Sequence, residues 1–320
     1  MPGARPQEPA QLAAWESKPR AWLSPRDLFL AVYVPAMAAL AWLAPERCWP
    51  VIARLWARAT LRLHPERTRR QRERVQAFLG ERPLAAQADR VLAGLVALRH
   101  VERLQVLRWY RPGSWRPRIE VIGAEHARAA LAQGRGVLLW QQPFALAGLA
   151  GKMALAQAGI RTVHLSRFDH GISRTRLGSR LLNPPWKRAE AHYLEARLEM
   201  APGRSAAALR EVAQRLRSGR VVSITVGHQA QQTRRVPLLG AEIELAEAPA
   251  ALARRAGAAL LPVFTVCLAP GVFRCTIEPE IEAPPGLDRD AAVAHVLREF
   301  GRRLEPYVLR WPEQYAGWDV

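Results

Sequence analysis

Apolar residues cluster along this chain in two different ways. Between Leu28 and Ala44 the stretch LFLAVYVPAMAALAWLA holds seventeen residues without a charge. As a helix it is roughly 25 Å long, a little short of a ~30 Å hydrocarbon layer. Pro35 interrupts it, Asp27 and Glu46 flank it, and Trp22, Trp42, Trp49 and Trp56 surround it as interfacial aromatics do. A basic, amphipathic stretch follows, with Arg54, Arg58, Arg62, Arg67, Arg69, Arg70, Arg72 and Arg74. The pattern predicts a monotopic or barely spanning anchor against anionic headgroups, with a buried core helix as the alternative.

From about Ile119 short apolar blocks alternate with helical periodicity. The spacing predicts helices over 124–133, 146–158, 205–217, 249–256 and 290–309. Strands are expected over 137–140, 161–165, 220–226, 260–268 and 272–278, the last two a possible hairpin around Pro270-Gly271. Gly159, Gly219 and Gly257 mark helix stops. The alternation implies an α/β fold, a mostly parallel sheet flanked by helices, with an N-terminal membrane-associated helical segment. The expected organisation is a polar extension over 1–27, an anchor helix and basic helical region over 28–112, and an α/β domain over 113–320. The clearest boundary is RPGSWRPR at 111–118.

Composition narrows the function classes. The 320 residues are 49% hydrophobic and 23% charged, which excludes a disordered chain. Forty-seven Lys and Arg against 28 Asp and Glu give +19, a balance that seeks polyanions or an anionic membrane face. Lys stands only at Lys18, Lys152 and Lys187, so the charge is almost all guanidinium, which grips phosphate bidentately. The basic residues are spread along the chain rather than grouped in a reading helix, so no nucleic-acid partner is expected. Cys48, Cys267 and Cys275 are odd in number and lack metal-ligand spacing, which argues against a disulfide framework or a metal site. The first 27 residues carry charges and prolines without a secretory apolar run. No P-loop, G-x-G-x-x-G after a strand, H-E-x-x-H or G-x-S-x-G occurs, which weighs against kinases, nicotinamide-dependent dehydrogenases, zincins and α/β-hydrolases.

In sheets of this kind ligands gather beyond the carboxyl ends of the strands. Here those ends lead into Gln141 to Ala145, Ser166 to Arg176, and Gly227 to Arg235. The second is the richest: His164, Arg167, Asp169, His170, Ser173, Arg174, Thr175 and Arg176 fall within thirteen residues. Guanidinia beside imidazoles suit a phosphate-bearing ligand with a proton to move. The third offers His228 as acid or base, and Arg234 and Arg235 as anion holders. The first, with Gln141, Gln142 and Phe144, has no titratable group and can only orient a ligand. The bland alternative for each is a solvated surface loop.

The order of these pieces, with VIGAEHARAALAQGRGVLL, LRSGRVVSITVGHQ, VPLLGAEIELAEAPAALARRAGAALLPVF and the ending RWPEQYAGW, is telling. The chain resembles the lysophospholipid acyltransferase superfamily, in particular its lauroyl/myristoyl (lipid A late acyltransferase) branch, over roughly 25–318. The resemblance implies transfer of a fatty acyl group from an acyl-carrier-protein or coenzyme A thioester to a hydroxyl of a lipid or glycolipid. The thioester is then a co-substrate, no cofactor is bound, and the place of work is the cytoplasmic face of the inner membrane. It also implies a His-x-x-x-x-Asp/Glu motif after the first strand, whose histidine takes the acceptor's proton while the carboxylate orients the imidazole.

That motif is where the chain departs from the family. The His-Phe step falls on Pro143-Phe144, and the carboxylate on Gly148; a register slip by one gives Gln142 and Ala147. The acidic position after the third strand reads His228-Gln229. Two readings follow. One is an acyltransferase with a rewired base drawn from His164, His170 or His228, oriented by Asp169. In it Arg174, Arg176, Arg234 or Arg235 hold anionic groups, and Arg167, Gln141, Gln142 and Phe144 also line the site. The alternative is a catalytically inactive relative that binds lipid or assists a partner.

Overall fold

The computed structural model describes residues 21–80, 86–201, 205–225 and 232–319. The apolar run forms helix α1 (Pro25–Leu43). Ser24 caps it: its hydroxyl accepts from the Asp27 amide, the Asp27 carboxylate answers on the Ser24 amide, and Pro25 fills the first turn. Helices α2 (Trp49–Leu63) and α3 (Pro65–Leu79) carry the basic stretch, and α4 (Ala88–Trp109) follows. Leu30, Met37 and Ala41 turn one stripe of α1 inward, while Leu28, Phe29, Val32 and Leu43 stay exposed. Among the described residues, α1 is the helix long and apolar enough to cross a membrane.

The body is built on β1 (Arg118–Ile122), β2 (Val137–Gln141), β3 (Val163–Arg167), β4 (Ala196–Met200), β5 (Val221–Thr225), β8 (Ala259–Ala269) and β9 (Val272–Ile277). They form one seven-stranded sheet in the order β1-β9-β8-β2-β5-β3-β4. All neighbours pair parallel except β8 and β9, the hairpin expected around Pro270-Gly271. Gly271 sits there at φ +73°, where a side chain is strained.

Helices cover both faces. Leu138 and Trp140 of β2 face the core under α9 (Ser205–Arg217), α10 (Ala248–Ala256) and α11 (Arg289–Arg310). Val137 and Leu139 face the opposite core, with α5 (Ala124–Ala132) and α6 (Ala147–Gln157). Helix α4 contributes Leu92 and Leu95 to the first core and Leu104 and Leu107 to the second, packing the N-terminal helical region onto the body.

The structure adds elements the pattern did not predict. The pattern assigns neither strand β1 nor edge strand β4, in which Arg197 and Glu199 break any apolar run. Helices α7 (Arg176–Leu181) and α8 (Pro184–Ala191) are too short to show periodicity. Most consequential is the separate hairpin of β6 (Thr233–Leu238) and β7 (Ala241–Ala246), which takes the end of the expected third loop into a strand.

Candidate active site

Strands β2, β5 and β3 lie side by side, so their carboxyl ends, Gln141, Thr225 and Arg167, share one edge of the sheet. Since Val163 and Leu165 face the first core, His164 and Ser166 face the other, beside Arg197 of β4 and Ser223 of β5 in register. His164 is sealed there. Its Nδ1 meets the Ser223 hydroxyl at 2.9 Å, which in turn meets Thr162 at 2.9 Å. Burial, helped by the charge of Lys152, drives His164 well below the usual histidine range, so the ring is neutral. At 3% exposure it cannot reach an acceptor hydroxyl.

His170 is placed differently. It lies in the loop after β3 with about a third of its side chain exposed, and its Nε2 sits 3.0 Å from Glu190 Oε1. Glu190, delivered from beneath by α8, is 4% exposed. Its other oxygen, Oε2, is held by Arg197 Nη2 at 2.6 Å and by Lys152 Nζ at 3.4 Å. Lys152 also donates to the Gly148 carbonyl at 2.9 Å. Burial works to raise the Glu190 carboxyl, but Lys152, His170 and Arg197 outweigh it and hold it well below the usual carboxylate range. Two cations therefore lock one oxygen and leave the other to the imidazole. With the ring proton on Nε2 directed at that carboxylate, the Nδ1 lone pair is free to accept a proton.

A second carboxylate closes the cluster. Glu102 of α4 accepts the Gly148 amide at 3.2 Å, and desolvation raises it above the usual carboxylate range. Gly148 thus stands between two carboxylates: a Cβ there would lie 3.0 Å from Glu102 Oε1 and 4.0 Å from Glu190 Oε1. Arg197 Nε and Nη1 and the Ser166 hydroxyl are buried without a partner among the described residues, which leaves the cluster polar capacity to spare.

The other sequence candidates are distributed unevenly. Among the described residues, the partners of His164 and His170 are Ser223 and Glu190 rather than Asp169. Asp169 is closed bidentately by Arg167, Nε to Oδ1 and Nη2 to Oδ2, both at 2.9 Å, because it is two residues from that guanidinium on the same loop. Asn183 shapes this loop, accepting the amides of Ile172 and Ser173 at 2.9 Å and donating to the carbonyls of Asp169 and Ser173. Arg174 and Arg176 lie on the surface beside α1, Arg176 over the Trp22 ring at 5.5 Å. Arg234 and Arg235 are corrections to the expected third loop. On β6, Arg234 is bound by Glu247 at 2.8 Å and Asp290 at 2.6 Å, and Arg235 faces Glu242 and Glu244 across the hairpin. His228 lies outside the described residues.

In the first loop, Gln141 is half-buried and Gln142 is buried with its Oε1 unpartnered among the described residues. Phe144 is core rather than ligand surface, bridged to Tyr315 and packed near Tyr307. The Pro312-Glu313-Gln314-Tyr315 tail clips this loop down. The Gln314 carbonyl accepts from Ala145, and its side-chain amide spans the Cys267 backbone with two 2.8 Å bonds. Burial pushes the Cys267 and Cys275 thiols up to about 11, which removes them as nucleophiles at neutral pH.

This scaffold and tail have a known counterpart. The sequence model of the bacterial lipid A biosynthesis acyltransferase family matches residues 18–318. The chain belongs to that family. No curated protein matches it. Within this member of the family, the sequence pattern does not reveal Glu190, Glu102 and Arg197 as site residues. One signal was available: Lys152 is the only charge between Phe144 and Ala158, and a buried cation demands a buried anion.

Proposed function

We propose that this chain transfers a fatty acyl group from an acyl thioester to a hydroxyl of a lipid or glycolipid acceptor at the cytoplasmic face of the inner membrane. The donor thioester is carried by acyl carrier protein or coenzyme A. His170 is the general base and Glu190 the group that positions it. The observation that carries this reading is the 3.0 Å contact of His170 Nε2 with the locked Glu190 carboxylate, next to Gly148, where the family resemblance puts a carboxylate.

In the reaction His170 Nδ1 accepts the acceptor's hydroxyl proton as that oxygen attacks the thioester carbonyl. Collapse of the tetrahedral intermediate breaks the C–S bond, and the departing thiolate takes the proton back from the imidazolium. The products are an ester and a free thiol. The surface guanidinia of Arg174 and Arg176 hold the donor's phosphate or an anionic acceptor group, while Gln141 and Gln142 orient the chain entering the site.

The test is turnover by purified protein, using labelled acyl carrier protein and coenzyme A thioesters with lipid A precursors and lipid extracts. Transfer by the wild type and a fall of ~10²–10⁴ in kcat for His170→Ala support the reading. Transfer that His170→Ala leaves unchanged overturns the assignment of the base. If no donor and acceptor pair reacts, the chain is the inactive lipid-binding relative.

A further inference from the structure

We infer that α1 lies in the plane of the membrane rather than crossing it, and that α7 is a second apolar foot resting on the same leaflet of an anionic bilayer. This rests on membrane association and is independent of acyl transfer.

The argument begins with where the ends of α1 are tied. Its 19 residues are about 28 Å long, enough to span a ~30 Å hydrocarbon layer only if its ends sit at opposite interfaces. At the N-terminal end the Asp27 carboxylate accepts from Ser173 at 2.5 Å. The carbonyls of Ala21 and Trp22 accept from the Arg176 and Leu177 amides at 3.0 and 3.1 Å. At the C-terminal end Arg108 donates to the Ala41 carbonyl at 2.5 Å, and Trp42 Nε1 to the Leu107 carbonyl at 3.0 Å. Midway, Tyr33 Oη meets His100 Nδ1 at 2.8 Å. Both ends and the centre are fastened to one folded body. Upright insertion would drag α4, with Glu102, Arg103 and Arg108, into hydrocarbon, or tear every one of these bonds.

The surface left outward fits an in-plane seat. Leu28, Phe29, Val32 and Leu43 form an exposed apolar stripe, with Val32 73% and Leu43 84% exposed. Trp22 and Leu23 extend it to α7, whose Leu177 and Leu181 are exposed beside them. Around this apolar surface stand Arg26, Arg174, Arg176 and Arg180, all exposed and in no ion pair among the described residues. Burial and then the neighbouring charges of Arg103, Arg174 and Arg67 lower Arg26 against the opposing pull of Asp27, as in a crowded cationic patch. Apolar feet ringed by unpaired guanidinia match an anionic headgroup layer.

Depth measurement decides between the two orientations. In a Cys48→Ser background, Leu28→Cys, Val32→Cys, Leu43→Cys and Leu181→Cys are each labelled with an environment-sensitive fluorophore. The proteins are bound to phosphatidylglycerol/phosphatidylcholine vesicles and quenched by lipids carrying nitroxides at set depths. All four positions are exposed, so labelling leaves the fold intact, and circular dichroism checks it. The inference expects a similar shallow depth at all four. Leu28 and Leu43 at opposite interfaces with Val32 about 6 Å deeper than Leu28, or Leu181 inaccessible to every lipid quencher, overturns it. A Leu177→Asp/Leu181→Asp pair is expected to weaken vesicle binding at least about tenfold. Arg174→Gln is expected to weaken binding about fivefold on anionic vesicles and to do nothing on neutral ones. Unchanged binding by both variants also overturns the second foot.

Discussion

Asp27, in the first turn of the apolar helix, accepts a 2.5 Å hydrogen bond from Ser173, in the loop that carries His170. The two residues are 146 positions apart in sequence, and the bond is buried. It makes the end of the apolar helix a structural wall of the loop with the candidate base. Gly178 closes the arrangement: a Cβ there would fall 2.1 Å from the Ser173 hydroxyl and 2.5 Å from the Asp27 carboxylate.

Breaking this latch is expected to loosen the loop without touching the proposed chemistry. Ser173→Ala leaves a buried carboxylate short of a donor and is expected to cost about 1–3 kcal/mol, read as a lower Tm. Burial works to raise Asp27, but hydrogen bonds from Ser173, Ser24 and Thr175 hold it below the usual carboxylate range. Its contribution is therefore present above that range and lost as pH falls through the lowered folded value. Thermal unfolding of Ser173→Ala with wild-type Tm at pH 7 would contradict the latch.

Glu190 tests the site from below. Glu190→Gln removes the anion that Lys152 and Arg197 share, leaving buried cations uncompensated at a cost of about 3–5 kcal/mol. The same change frees the His170 ring, so selectively ¹⁵N-labelled histidine should show a defined Nε2–H tautomer in the wild type and a mixture in the variant. Identical tautomer signals in both proteins would remove Glu190 from its positioning role.

Gly148→Glu asks whether a carboxylate at the family position rescues or harms. The new side chain starts 3.0 Å from Glu102 Oε1 and 4.0 Å from Glu190 Oε1, so it adds a third carboxylate to a buried pair. The expected outcome is a lower Tm and no gain in acyl transfer, with Pro143→His/Gly148→Glu no better. A double variant more active than wild type would show that the resident cluster is not the working site.

The seam between α1 and α4 should be acid-sensitive. Burial, and then the charge of Arg103, lowers His100 from the ordinary 6.5 to about 4. The unfolded chain therefore binds this proton first. Stability is full above pH 6.5 and declines as pH falls toward 4, by about 2 kcal/mol after allowing for partial screening. Tm measured from pH 7 to 4 should drop several degrees more for the wild type than for His100→Asn, and equal slopes would contradict this.

Local pattern was sufficient for most of the scaffold. The uncharged run from Leu28 to Ala44, the Gly stops and the β-branched strands depend on neighbours a few residues apart, so α1, α5, α6, α9, α10, α11 and five of the main strands were legible. The sequence alone also marked the loop after β3 as the richest in chemistry. It did not show which groups meet there. Asp169 adjoins His170 in the chain, yet the chain geometry turns it onto Arg167, while Glu190 arrives from a helix twenty residues on. Arg234 and Arg235 look like anion holders until the fold brings Glu247 and Asp290 onto Arg234 and the hairpin sets Glu244 opposite Arg235. Spacing along a chain reports secondary structure because that is local. Charge pairing inside a sheet depends on which strands and helices pack together, and only the tertiary fold decides that.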